Sequence, residues 1–258
     1  NLKSPEFIEE LKSLEANLQV VVAFRMLPEI VWSMPTLGTV NLHASLLPDY
    51  RGAAPINWAI INGEKKTGVT TFFIEKEVDT GKIIFSEKTE IGPDTTAGEL
   101  HDTLMILGAD LLVKTIQSIA NNEYQAISQS NINHGHELKP APKIFKEDCK
   151  IRWTQDARKI HNFIRGLSPY PGSWTEISHG EEIIHVKIFR AGYSIEIHDT
   201  PIGHILMDDE KSLKVAVHDG FIHIIELQQA GKKRLRTDEF LRGFHESNFF
   251  FIPLTDEN

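Results

Sequence analysis

The stretch Leu18-Gln19-Val20-Val21-Val22-Ala23-Phe24 narrows the folds open to this chain more than any other. Three consecutive valines in an apolar run describe a strand buried on both faces, as in a parallel sheet. Parallel strands need long crossovers, usually helices, and the neighbouring residues supply helical patterns. Ser4 before Pro5 is a good N-cap and first-turn pair, and Phe7, Ile8, Leu11 and Leu14 follow at helical spacing, so a helix is expected over 5–16. A short strand is expected over 39–44, a helix from Pro55 to Ile61 closed by Asn62-Gly63, and strands over 68–74 and 82–91. Leu100, Leu104, Leu107, Leu111 and Leu112 then mark an amphipathic helix from Thr95 to Asn121. The class is α/β, with a parallel sheet.

The texture changes after Asn121. Residues 122–150 have little periodicity and read as a linker. A helix is expected over 155–166, and after Pro169-Tyr170-Pro171-Gly172 come five short strands, at 173–178, 182–191, 203–208, 213–219 and 221–229. Such closely spaced strands suggest a small OB-like β-barrel. The expected organisation is an α/β domain over 1–125, a linker over 126–150 and an OB-like domain over 151–258. An α/β domain usually opens on a strand, whereas this chain opens on a helix. The N-terminal part of the domain is therefore expected to be missing from this sequence.

Cys149 is the one cysteine among 258 residues, which excludes an internal disulfide framework and suits a reducing compartment. No run of eighteen or more apolar residues occurs, and Asn1 to Glu6 lack the regions of a signal peptide. A cytoplasmic protein with no membrane association is expected. Residues 1–138 carry 10 Lys and Arg against 18 Asp and Glu, while residues 139–258 carry 17 against 18. Basic residues cluster in the second part, at Lys139, Lys143, Lys146, Lys150, Arg152, Arg158, Lys159 and Arg165, and again at Lys232, Lys233, Arg234 and Arg236. Such clusters are either solvated faces interspersed with acids or contacts for phosphates.

The chemistry concentrates in "NLHASLLPDYRGAAPINW", residues 41–58. If 39–44 is extended, Asn41 and His43 point to the same face, since strand side chains alternate. Ser45-Leu46-Leu47-Pro48 then leaves the strand where open α/β sheets place their ligand crevice. By itself an Asn-x-His pair at a strand end is commonly a satisfied hydrogen-bonding pair. Asp79-Thr80-Gly81 adds a carboxylate at another strand junction, and a carboxylate beside an imidazole orients the ring and favours its proton-donating form. Asp-Thr-Gly is also the triplet of aspartic proteases, but those need two copies set in apolar strands, and this chain has one, flanked by Glu77 and Lys82. His134-Gly135-His136 brings two imidazoles together without acidic or thiol companions, so no metal is expected there. Trp153 and Trp174 are expected in the core of the small barrel.

Together, Asn41-Leu42-His43, Ser45 to Pro48, Tyr50-Arg51-Gly52-Ala53-Ala54-Pro55-Ile56, Asn62-Gly63-Glu64, Thr67-Gly68-Val69-Thr70 and Asp79-Thr80-Gly81 resemble the motifs of 10-formyltetrahydrofolate-dependent formyltransferases. The likeness runs over nearly the whole chain and is greatest to the branch that formylates methionyl initiator tRNA. It implies a Rossmann-like formyltransferase domain followed by an OB-like domain that helps hold tRNA. It also implies Asn41, His43 and Asp79 as the catalytic trio and 10-formyltetrahydrofolate as cosubstrate, with no metal. For the folate it implies Ser45, Leu46, Leu47 and Pro48, the loop Phe24-Arg25-Met26-Leu27, and Val78. For the tRNA it suggests Arg51, Lys139, Lys143, Lys146, Lys232, Lys233, Arg234 and Arg236. The family's opening strand, its Gly-Thr-Pro-like loop and a basic loop that approaches the acceptor end have no counterpart in these residues, so this chain by itself is expected to be impaired. A monomer is expected. The rival readings are a formyltransferase acting on a nucleotide-linked amino sugar and a non-catalytic RNA-binding module.

Overall fold

The computed structural model of the chain describes residues 1–23, 26–132, 135–179, 182–208, 212–242 and 249–251. These group into two compact units, one formed by residues 1–56, 65–91 and 100–143, the other by residues 57–64, 92–99 and 144–258.

Helix α1 (Pro5–Ser13) begins where expected, with Ser4 Oγ accepting the Phe7 N–H at 3.3 Å and Pro5 in the first turn. Then come β1 (Gln19–Val22), α2 (Glu29–Trp32), β2 (Thr39–His43), β3 (Arg51–Gly52), α3 (Pro55–Ile61), β4 (Lys66–Phe73), β5 (Ile83–Glu90) and α4 (Ala97–Ala120). The main sheet of the first unit runs β1-β2-β4-β5. β1 and β2 are parallel, whereas β2 with β4 and β4 with β5 are antiparallel.

The valine run departs from expectation. β1 pairs with β2 alone among the described residues, and Val20 and Val22 are 40% and 50% exposed. The run has the composition of a doubly covered strand, but neither Val20 nor Val22 is covered by the elements described here.

α4 starts from a reciprocal cap. Thr96 donates its N–H and its hydroxyl to Glu99 Oε2, each at 2.8 Å, and the Glu99 N–H returns to Thr96 Oγ1 at 3.3 Å. The Thr96 N–H, opposed by partial burial, holds the Glu99 carboxyl below its usual range. Helix α4 is long and apolar enough to cross a membrane by length and composition. Its face bearing Leu100, Leu104, Leu111, Thr115 and Ile119 is instead buried in the protein. Thr71 of β4 bonds Thr115 Oγ1 at 2.9 Å, and Val40, Ile84 and Ile119 share a core cluster.

Residues 122–143, read from sequence as linker, form part of the first unit. They contain a short 3-10 turn at Gln129–Asn131 and β6 (Pro140–Ala141), which pairs in parallel with β3. This order rests on backbone and amide bonds, which leave no apolar periodicity for a sequence reading to find.

In the second unit, α5 (Ala157–Gly166) starts with the Ala157 N–H on Asp219 Oδ1 at 2.7 Å. It is followed by β7 (Ser173–His179), β8 (Glu182–Ile195), β9 (Ile205–Asp208), β10 (Ser212–Val217), β11 (Gly220–Gln229), β12 (Leu235–Arg236), α6 (Thr237–Leu241) and β13 (Phe249–Phe251). The sheet runs β13-β7-β8-β11-β10-β9, with β12 paired to β11, and forms a half-barrel. Its core contains Trp153, Ile160, Ile164, Ile188, Val215 and Ile222. Trp153 is fully buried, and its indole N–H reaches Thr175 Oγ1 at 2.9 Å. Trp174 does not join it. That ring is partly exposed, with its N–H on the Lys146 carbonyl at 2.9 Å and the Lys150 ammonium 5.5 Å from its centroid. In β7, alternation sends Thr175 and Ile177 inward and Trp174 outward.

Candidate active site

Alternation along β2 sorts its side chains into two sets. Val40 and Leu42 face α4: Val40 belongs to the core cluster with Ile84 and Ile119, and Leu42 covers Gly108, where an added Cβ would meet Leu42 Cδ2 at 2.7 Å. Asn41 and His43 stand on the other face, across from Phe72 and Thr70 of β4. The His43 ring meets Phe72 edge-on at 6.5 Å, and Phe72 packs with Leu47 and Ile83.

Three hydrogen bonds set the turn that follows β2. Ser45, fully buried, donates its hydroxyl to the Asp49 carbonyl at 2.7 Å. Thr70 donates to the Ser45 carbonyl at 2.7 Å and accepts the Leu47 N–H at 3.2 Å. The turn contains a cis Leu47–Pro48 peptide and returns Tyr50 to the strand end, with Tyr50 in the left-handed region at φ 60°. His43 Nε2 there donates to the Tyr50 carbonyl at 2.8 Å.

Asp79 arrives from the turn between β4 and β5, also left-handed at φ 55°. Its Oδ2 lies 3.8 Å from His43 Nδ1 and accepts the Gly52 N–H at 2.9 Å. The His43 and Asp79 side chains are only 8% and 13% exposed. Both groups facing the imidazole nitrogens, a carbonyl and a carboxylate, are hydrogen-bond acceptors. The Nε2 side is a formed hydrogen bond. The Nδ1 side, at 3.8 Å, is beyond hydrogen-bond reach but within ion-pair distance.

Sequence reasoning did not single out Gln129, which is 3% exposed and joins the two turns beside Asp79. Its amide donates to the Asp79 carbonyl at 2.9 Å and to the Gly81 carbonyl at 2.8 Å. Its Oε1 accepts from Arg51 Nε at 3.0 Å and Nη2 at 2.6 Å. Arg51, considered above for tRNA, thus directs two guanidinium donors into the protein. The Tyr50 carbonyl and the Gly52 N–H were also missed, because backbone groups carry no sequence signal.

The remaining expected residues fall as follows. Ser45, Leu47 and Pro48 are buried and Leu46 is half-buried, while Met26 and Val78 are exposed and Leu27 is half-buried. Phe24 and Arg25 lie outside the described residues, as does His134. His136 Nε2 meets Asp49 Oδ2 at 2.8 Å, and the Lys139 N–H donates to Asp49 Oδ1 at 3.0 Å. Lys139, Lys143, Lys146, Lys232, Lys233, Arg234 and Arg236 are exposed residues. Arg234 pairs with Glu226 and lies over the Phe189 ring at 4.2 Å, and Arg236 is 3.5 Å from Asp238. Among the described residues, no three or more His, Cys, Asp or Glu side chains are grouped to hold a metal ion.

Comparison with known proteins places this chain in a class. The formyl transferase family matches residues 1–116, and its C-terminal domain matches residues 143–245. The chain belongs to the formyl transferase family. It is 52% identical over 248 residues to the methionyl-tRNA formyltransferase of Bacteroides thetaiotaomicron, an alignment covering 96% of this chain and 77% of that protein. It is 47% identical over 252 residues to the methionyl-tRNA formyltransferase of Flavobacterium psychrophilum, covering 98% of this chain and 78% of that one. Aquifex aeolicus HypX in complex with tetrahydrofolic acid shares the fold, with a TM-score of 0.67 at 19% identity over 96% of this chain and 44% of that one. An N-formyltransferase from Helicobacter canadensis in complex with folinic acid and dTDP-3-aminofucose is similar at a TM-score of 0.55 and 25% identity, covering 76% of this chain and 66% of that one.

Proposed function

We propose that this chain transfers the formyl group of 10-formyltetrahydrofolate to the α-amine of methionine esterified to initiator tRNA. The observation that carries the reading is the convergence of His43 and Asp79 at the end of the strand that bears Asn41. The amine nitrogen attacks the formyl carbon, and the carbonyl electrons move to the formyl oxygen. Asn41 Nδ2 and the Nδ1–H of His43 donate to that oxygen, and a preorganised donor of this kind is commonly worth about a hundredfold or more in rate. The oxygen electrons then re-form the carbonyl as the bond between carbon and N10 breaks. N10 takes up a proton, the amine loses one, and water relays between them. Nε2–H stays on the Tyr50 carbonyl and fixes the ring plane. Asp79 supports the positive charge on the ring, and Gly52 holds its carboxylate.

Ser45, Leu46, Leu47 and Pro48, with Phe24 to Leu27 and Val78, are proposed to receive the folate. Lys139, Lys143, Lys146, Lys232, Lys233, Arg234 and Arg236 are proposed to neutralise tRNA phosphates. The amino-sugar reading is disfavoured, because relatives sharing about half of their residues over nearly the whole chain are methionyl-tRNA formyltransferases, while the sugar enzyme above shares 25%.

The deciding experiment offers methionyl initiator tRNA and a nucleotide-linked amino sugar together with 10-formyltetrahydrofolate. Formylation of the tRNA alone is expected, and formylation of the sugar alone overturns the assignment. His43→Ala is expected to abolish transfer while RNA binding persists. Undiminished transfer by that variant refutes the catalytic trio.

A further inference from the structure

We infer that Gln129 is a positioning residue for the reaction, acting through Asp79. The inference rests on the catalytic role proposed above for Asp79 and extends the machinery to a residue 50 positions later in the chain.

Asp79 must hold its carboxylate beside His43 from a tight turn in a left-handed conformation, at φ 55°. For a residue with a Cβ that conformation costs on the order of 1 kcal/mol and persists only where surrounding contacts enforce it. The turn has little room to relax, since a Cβ on Gly81 would stand 1.7 Å from the Phe73 carbonyl oxygen. Gln129 provides the enforcement. Its two amide protons go to the Asp79 and Gly81 carbonyls, gripping the turn on either side of Thr80.

The same amide also controls the carboxylate. Gln129 Oε1 accepts two guanidinium donors from Arg51, and the next residue, Gly52, donates its N–H to Asp79 Oδ2. Gly52 packs so closely on β6 that an added Cβ would lie 2.4 Å from the Ala141 carbonyl oxygen. Gln129 therefore closes a ring of contacts running from its own Nε2 through the Asp79 main chain, the Asp79 carboxylate, Gly52 and Arg51 back to its Oε1. In this ring all four hydrogen-bonding positions of the amide are used, at 3% exposure. Such an arrangement specifies one orientation, because an exchange of the amide oxygen and nitrogen sets donors against guanidinium and oxygen against carbonyl.

A residue that serves the fold alone and one that positions Asp79 make different predictions for a double-mutant cycle with Asp79→Asn. If Gln129 acts through Asp79, Gln129→Ala lowers kcat by about thirtyfold in the parent protein and by less than about threefold where Asp79 is already Asn. The KM for 10-formyltetrahydrofolate is expected to stay within about threefold in both backgrounds. Equal losses of kcat in the two backgrounds overturn the inference, as does a Gln129→Ala variant with parental kcat. If Asp79→Asn itself leaves kcat unchanged, the catalytic reading of Asp79 has failed, and that outcome is separate from the first two. Should Gln129→Ala not fold, Gln129→Glu repeats the cycle. It keeps the volume and the Arg51 contact but turns an acceptor toward the Asp79 and Gly81 carbonyls, and it is expected to lower kcat with the same dependence on Asp79.

Discussion

Replacing Asp79 by Asn tests the heart of the site, because it removes a charge while keeping an acceptor. The Asn Oδ1 can still take the Gly52 N–H that Asp79 Oδ2 accepts at 2.9 Å, so the turn keeps its anchor. What disappears is the attraction between the carboxylate and a charged imidazole 3.8 Å away. At an effective dielectric constant near 20 that attraction is about 4 kcal/mol, a ceiling because neither group is fully removed from water. A transition state that relies on a charged His43 is raised by part of this amount, and 1.4 kcal/mol corresponds to a factor of ten. The expected outcome is a fall in kcat of about a hundredfold to a thousandfold with little change in KM. Rapid-quench single-turnover transfer from labelled 10-formyltetrahydrofolate to charged initiator tRNA measures it, with a thermal melt alongside to verify folding. A variant that melts like the parent and turns over within fivefold of it would refute the charge-support role.

Other consequences follow from contacts elsewhere in the molecule. Gly68 in β4 faces β5 so closely that an added Cβ would stand 2.0 Å from the Glu87 carbonyl oxygen and 2.6 Å from Leu46 Cδ2, so Gly68→Ala is expected to destabilise by about 2 kcal/mol, read as a lower Tm. Burial, aided by Asp148, raises the Cys149 thiol to about 11, so iodoacetamide at a pH near 8 should label the native protein about a hundredfold more slowly than an unfolded control. His161 is buried, and burial first and Arg165 second lower its pKa from 6.5. Its neutral form is favoured in the folded state, so the associated stability is present above 6.5 and is lost as the pH falls through the folded value; urea midpoints should drop on acidification, and His161→Gln should flatten that slope. The affinity for initiator tRNA should fall with salt, and removing Lys232 or Lys233 should each reduce the slope of log affinity on log salt by about one.

What could be read in the sequence was local. Ser4-Pro5 announces α1 because a cap acts on the next few residues, and Asn41 and His43 share a face because strand alternation is a property of consecutive residues. The strands at 173–179 and 220–229 were legible for the same reason. The misreadings concern relations between distant segments. The valine run carries the composition of a covered strand, yet coverage depends on neighbours contributed from elsewhere, and Val20 and Val22 stay exposed. Trp174 looks like Trp153 in composition, and only the direction of its strand pleat separates the outward ring from the inward one. Gln129 stood in a polar stretch without periodicity, where an amide that grips two carbonyls and a guanidinium looks the same as a solvated one.

Asn41-x-His43 raises the harder question of what distinguishes a working histidine from a structural one. A histidine used only for support can place a donor on one acceptor and an acceptor on one donor, which the neutral ring satisfies. His43 instead faces two acceptors, the Tyr50 carbonyl at 2.8 Å and the Asp79 carboxylate at 3.8 Å. A neutral ring carries a single N–H and so can donate to only one of the two. The two contacts also differ in kind: the Tyr50 bond is closed at 2.8 Å, whereas the Asp79 carboxylate stands 3.8 Å from Nδ1, at ion-pair distance. Neither acceptor could be found by inspecting the motif, since one is a backbone carbonyl seven residues on and the other reaches it only through the turn at Asp79. On the mechanism proposed above, the specificity of the Asn-x-His pair lies in the loops that close on it, so substitutions at Gln129 or Asp79 are expected to change the chemistry of a ring they leave in place.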